Sequence, residues 1–198
     1  VNIGGFVAFR DKELKGKIGA NLIVHEGYLT YGGLAGRDLD ALAVGLYEGT
    51  DEEYLNYREA HTRYLGEVLS AAGLPVYKPT GGHAVYVDAG KALPWIPPSQ
   101  FPAVALANAL YIEGGIRTVE IGSLMFEHTD PETGEKVYSP LELLRFTIPR
   151  RVYTRSHLDF IGEVAKRVME NPKDIKGLRV TWAPEVLRHF MAELEEVE

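Results

Sequence analysis

The sequence predicts an α/β chain whose larger, second part is an α+β domain: a small sheet with helices packed on it. Three observations predict it. Stretches with helical apolar spacing interleave with stretches of strand alternation. Glycine and proline punctuate the joins between them. The 198 residues, 45% hydrophobic and 25% charged, can build a core, yet no apolar run approaches the roughly 18 residues of a membrane span.

The elements follow in order. Residues 3–9 read as a short apolar strand, residues 11–19 as polar and Lys-rich, and residues 30–36 as a Gly-dense loop. Leu39, Leu42, Ala43 and Leu46 fit one helical face. Thr50 and Glu53 form a capping-box pattern, followed by His61, Leu65, Val68, Leu69 and Ala72 at helical spacing. Gly73 and Pro75 end that helix. A Gly81-Gly82 turn leads into a strand over 83–88, and a proline-crowded loop into a helix over 103–113. Gly114-Gly115 precedes a strand over 117–122, and residues 128–139 read as a polar hairpin. Residues 143–149 alternate cleanly, with Leu144, Phe146 and Ile148 on one face and Arg145 and Thr147 on the other. Thr154 caps a helix bearing Leu158, Ile161, Ala165 and Val168. Leu178, Val180 and Trp182 alternate in a last strand, and residues 184–198 are expected to form a terminal helix. Residues 1–48, rich in glycine and apolar side chains, have a texture of their own and are assigned to a separate unit from 49–198.

Charge and composition narrow the function. A net charge of −7 without a basic block disfavours nucleic acid as a partner. The absence of cysteine excludes disulfides, thiolate metal sites and cysteine nucleophiles, and fits a cytoplasmic protein. None of the six histidines makes a zinc-type cluster. There is no Walker loop, no strand-tight GxGxxG and no GxSxG elbow. The opening Val1-Asn2-Ile3-Gly4-Gly5-Phe6 carries no targeting pattern and reads like the middle of a strand.

Arg145 is the most informative single charge. It interrupts a strand whose alternate residues are apolar, and its planar fork suits bidentate carboxylate binding. A structural ion pair fits the same pattern. His189 suits substrate orientation or proton transfer, or a satisfied structural position. The amides of the Tyr31-Gly32-Gly33 loop suit an anion, or a turn that serves packing. Arg150 and Arg151 read as a solvated pair.

Several stretches together resemble the C-terminal portion of the β-eliminating lyases that use pyridoxal phosphate, the family of tryptophanase and tyrosine phenol-lyase. They are VNIGGF at Val1, TYGGLAGRD at Thr30, AVGLYEG at Ala43, GGHAVYVDAGK at Gly81, QFPAVALANALY at Gln100, GIRTVEIGS at Gly115, ELLRFTIPRRVYT at Glu142 and IKGLRVTWAPEVLRHF at Ile175. They run in family order along nearly the whole chain. The resemblance implies the aspartate-aminotransferase fold type, with residues 1–48 as the tail of the large cofactor-binding domain and 49–198 as the small α+β domain.

The same resemblance implies site residues one by one. Arg145 is similar to the family residue that binds the substrate's α-carboxylate. His189 matches the tryptophanase histidine near the ring pocket, where tyrosine phenol-lyases typically have Phe. Ile121 stands where the phenol-lyases place an Arg; an apolar side chain suits an indole and leaves no charge unpaired. Tyr31 lies near the family's active site. Asn2 follows the family's cation segment, where a backbone carbonyl helps hold potassium or another monovalent cation. The Schiff-base lysine is expected in an S-x-K-K-D run just upstream of Val1, so no catalytic residue is assigned within the chain, and Lys12, Lys15 and Lys17 are read as solvated. The implied reaction is β-elimination of L-tryptophan to indole, pyruvate and ammonia, requiring the N-terminal part of the enzyme as a companion chain or preceding segment. The alternatives are tyrosine phenol-lyase or another β-eliminating amino-acid lyase, and a non-catalytic truncated domain that binds a partner or an amino acid. The resemblance further implies a homo-oligomer, tetrameric by family, with no nucleic-acid or membrane partner.

Overall fold

The computed structural model describes residues 3–197. Two compact units divide at residues 56 and 57. The first contains α1 (Lys12–His25) and α2 (Gly36–Glu48). Asp11 caps α1 by accepting a hydrogen bond from the Glu13 amide at 2.8 Å. Residues 12–19, polar and Lys-rich with no element assigned to them from the sequence, form the first part of this helix. Its apolar residues form no stripe and only Gly19 is buried, so the 3.6-residue signal is absent from the sequence. Residues 3–9 pair with no strand among the described residues, contrary to the expectation, because apolar character alone supplies no hydrogen-bonding neighbour. The glycine-dense loop folds tightly: a Cβ at Gly27 would collide with the Gly33 amide, and Gly33 itself has φ +77°.

Helix α3 (Glu52–Ala71) runs across the division. Its start differs from the Thr50 cap. Asp51 accepts from the Tyr54 amide at 2.9 Å, while the Thr50 hydroxyl donates backwards to the Tyr47 carbonyl at 2.8 Å. A carboxylate one position nearer the helix satisfies the orphan amide better.

In residues 57–198 an antiparallel sheet has the order β1 (Ala84–Asp88), β5 (Leu143–Thr147), β2 (Val119–Ile121). Between these strands in sequence lie α4 (Ala89–Ala92), α5 (Pro102–Gly114), α6 (Ser123–Phe126), and the short β3 (His128–Thr129) and β4 (Lys136–Val137), which form the expected polar hairpin. Helix α5 packs on β2 and β5, and α7 (Arg155–Val168) packs on α5. Thr154 caps α7 as expected, with His157 closing the capping box. Val85, Val87, Leu106, Leu110, Leu144 and Val164 have no exposed surface. Each such side chain contributes roughly 1.5–3 kcal/mol on burial.

The chain's last part is not the expected long helix. Beyond β6 (Leu178–Trp182), α8 (Arg188–Met191) makes one turn and β7 (Glu193–Glu196) returns to pair with β6. Glu, Leu and Ala give residues 184–198 a helical composition, and strand pairing overrides that weak preference.

Candidate functional site

Residues directly opposed in an antiparallel sheet share a face, as do residues two apart on one strand. Arg145 lies opposite Tyr86 on β1 and Val119 on β2, and Ile121 lies opposite Leu143. Arg145 and Ile121 therefore occupy one face of the sheet, at diagonal positions. The other face carries Leu144 and Phe146 with Val87 and Val85 opposite them, all buried.

Arg145 is half-buried, and its Nε is fully buried with no hydrogen-bond partner among the described residues. No ion pair among those residues includes it. The structural salt bridge that the strand pattern also allows is therefore not formed within them. An unmet buried N–H on a guanidinium costs free energy that an arriving anion recovers. Tyr86 and Val119 bring no charge across the sheet, so a carboxylate would meet no like-charged neighbour at those two positions.

His189 sits on the single turn of α8, half-buried, with its ring 3.8 Å from that of Phe190. Helix α8 packs on α6, which begins two residues after Ile121, so the fold carries the His189 turn to the Ile121 end of β2. The adjacent Arg188 pairs with Glu127 and lies 5.9 Å from the centre of the Phe101 ring.

Tyr31 belongs to the other unit, where it is exposed beside Tyr28. The amides of Tyr31 and Gly32 both donate to the Tyr28 carbonyl, at 3.1 and 2.7 Å, and that of Leu34 donates to the Tyr31 carbonyl at 2.9 Å. These donors are spent inside the loop, which favours the turn over the anion nest. Arg150 and Arg151 are exposed. Asn2 lies outside the described residues. Lys12, Lys15 and Lys17 are exposed on α1, and every other lysine is exposed as well. No group of three or more His, Asp or Glu side chains suited to a metal ion occurs among the described residues.

A cavity of about 380 Å³ opens elsewhere, lined by Leu65, Phe146, Ile148, His157, Phe160 and Ile161 among others. It contains none of the predicted site residues. Two of its walls, Phe146 and Ile148, belong to the face opposite Arg145, so the candidate site is placed by the buried unpaired nitrogen rather than by volume.

Two features escaped the sequence. Arg58 is buried on α3 and donates to the carbonyls of Ile148 and Pro149, at 3.1 and 3.4 Å, just past the end of β5. Glu120 and Glu142 converge at the start of α6. The Ser123 amide donates to the Glu142 carboxylate at 3.1 and 3.3 Å, the Ser123 hydroxyl donates to it as well, and the Leu124 amide donates to Glu120 at 3.1 Å. Glu120 lies opposite Leu144, on the packed face. Burial, and secondarily the neighbouring Glu142, pushes Glu120 up to about 7. Burial also raises Glu142, against the pull of its bonds from Ser123. A glutamate next to an apolar strand residue was the only sequence signal of this pair.

Comparison with known proteins places the chain among its relatives. Residues 1–164 match the model of the beta-eliminating lyases. The chain belongs to that family. As a member it is 51% identical over its whole length to a probable tryptophanase of Aeropyrum pernix, covering 42% of that protein. It is 53% identical to the tryptophanase of Salinibacter ruber, over 98% of this chain and 41% of that one. It is 47% identical over its whole length to the tyrosine phenol-lyase of Symbiobacterium thermophilum, covering 43% of it. The chain thus spans about two fifths of the length of the curated relatives it matches. Family membership agrees with the predicted fold class, and the mixed α/β unit of residues 57–198 is consistent with one part of such an enzyme.

Proposed function

We propose that the chain is the C-terminal portion of a pyridoxal-phosphate lyase that cleaves L-tryptophan to indole, pyruvate and ammonia. The observation that carries the reading is the buried Nε of Arg145, which has no hydrogen-bond partner among the described residues and lies opposite the uncharged Tyr86 and Val119. Its guanidinium would take the amino acid's α-carboxylate through two parallel N–H bonds. Ile121, on the same face, would give the ring an apolar wall, and His189 would border it. Tyr31 belongs to the same proposal as a residue of the substrate site, as does Asn2 through its carbonyl on a potassium ion.

The chain's own lysines do not fit the cofactor's anchor, because all are solvated and none is enclosed. That anchor is therefore assigned to the part of the enzyme that the relatives carry outside the matched stretch. When bound, the cofactor supplies an electron sink at Cα. The residues described here bind and orient the amino acid. Activity accordingly requires the remainder of the enzyme, and we propose an oligomeric assembly in the cytoplasm.

The test is to assemble the whole enzyme and measure indole release from tryptophan against phenol release from tyrosine. Indole release that falls roughly 100-fold in Arg145→Gln, with KM rising, is the expected result. Phenol release alone would move the chain to the tyrosine phenol-lyase branch and overturn the reading of Ile121 and His189. No release of either would favour a non-catalytic binding domain.

A further inference from the structure

The Glu120–Glu142 pair has no part in carboxylate binding, yet it stands at the end of the strand that carries Ile121. A Cβ built on Gly122 would lie 2.5 Å from Glu142 Oε2 and 2.8 Å from Glu120 Oε1. The two carboxyl groups therefore close over the backbone of Gly122, which follows Ile121 directly. The Ser123 hydroxyl extends the clamp. It donates to Glu142 and accepts from the Ser139 amide at 3.0 Å, tying the chain that returns from the β3–β4 hairpin to the same turn.

We propose that Glu120 and Glu142 are positioning residues for substrate binding: sharing one proton, they hold the turn after β2 closed and so fix Ile121 on the Arg145 face. This rests on the substrate-site reading above. Glu120 projects to the packed face and Ile121 to the opposite face of the same three-residue strand, so a shift of the turn moves both. With both carboxyl groups ionised, like charges face each other across one glycine in partly desolvated surroundings, and the turn opens. The raised proton affinity of Glu120 puts that change near neutrality.

The surrounding charges do not relieve the repulsion. Asp88 at the end of β1 and Glu127 after α6 both act on Glu142 with the same sign. The nearby cations are engaged with those outer carboxylates. Lys91 holds Asp88 at 2.9 Å, while Lys136, at 3.2 Å, and Arg188 hold Glu127. The donors that reach the inner pair are the Ser123 amide and hydroxyl on Glu142 and the Leu124, Gly122 and Met125 amides on Glu120.

The experiment uses the whole assembled enzyme and compares wild type with Glu120→Gln and Glu142→Gln. Glutamine keeps an acceptor for the backbone amide and cannot ionise. Between about pH 6 and pH 8.5, wild-type KM for the amino acid should rise roughly fivefold more than in Glu120→Gln, with the difference falling on KM rather than kcat. Hydrogen exchange of a peptide spanning residues 120–127, corrected for intrinsic pH dependence, should accelerate in wild type over that range and stay slow in Glu120→Gln. Equal exchange profiles in the two proteins would overturn the clamp. Equal KM profiles with different exchange would overturn its role in positioning Ile121. The exchange arm needs no turnover, so an enzyme that releases neither indole nor phenol would defeat the functional reading while the clamp is still judged on its own readout. Glu142→Gln should reproduce the slow exchange if the carboxyl groups share one proton. Fast exchange there at every pH would reduce Glu142 to a structural acceptor and overturn the pair.

Discussion

The two faces of the three-stranded sheet are made by alternate residues of the same strands, yet they do opposite work. On one face Leu144, Phe146, Val85 and Val87 vanish under α5 and its neighbours. On the other, Arg145 keeps a buried N–H unmet, with Tyr86, Val119 and Ile121 around it. The packed face spends its side chains on stability. The other face keeps a buried donor with no hydrogen-bond partner among the described residues. The difference teaches that the candidate site is marked by an unbalanced polar atom on a balanced scaffold.

Substitutions on the two faces should separate cleanly. The largest effect on stability is expected at Phe146→Ala, about 3–5 kcal/mol, measured by denaturant unfolding. Its loss of activity should track the unfolded fraction. Arg145→Gln should do the reverse, losing about 3 kcal/mol of substrate recognition while shifting unfolding by less than about 1 kcal/mol, because no folded-state partner is orphaned. Equal losses of stability at both positions would erase the distinction. Gly162→Ala tests the layer behind the packed face. An added methyl on α7 would overlap the Val68 side chain on α3, for an expected loss of about 1–3 kcal/mol. The smallest change is Glu120→Gln, the polar exception on the packed face. Its carboxyl group holds a proton to about 7 when folded, against 4.5 as the ordinary value. Its stabilising contribution is therefore full below pH 4.5 and is lost as the pH rises through 7. The variant should flatten the fall in Tm over that window, and an unchanged slope would place the titration elsewhere.

Much of this was readable from the sequence because period two leaves a mark. Leu144, Phe146 and Ile148 against Arg145 and Thr147 gave both the strand and its odd charge. Gly73 and Gly115 ended helices with φ values of +91° and +68°, as glycine at that position does. What stayed hidden depends on contacts distant in sequence. Glu120 and Glu142 are 22 positions apart, and only the register that sets Glu120 against Leu144 brings them together. Arg58 sits in a polar helical stretch that reads as solvent-facing, while its partners lie beyond β5. Residues 193–196 look helical until β6 offers them a ladder. The Arg145 candidate was thus local information, and the carboxyl pair beneath it was not.

The β6–β7 ribbon has a colloidal consequence. A two-stranded ribbon presents unpaired backbone along its outer edges, a template for further strands. Here β7 carries Glu193, Glu195 and Glu196, all exposed. Glu195 and Glu196 pair with Arg179 and Lys176, so acid takes the ribbon from a small excess of negative charge through balance to positive, and repulsion between two such edges is weakest at the balance point. Light scattering should therefore pass through a maximum on mild acidification before the fold is lost, and Glu195→Lys, which makes the ribbon positive from the start, should abolish that maximum.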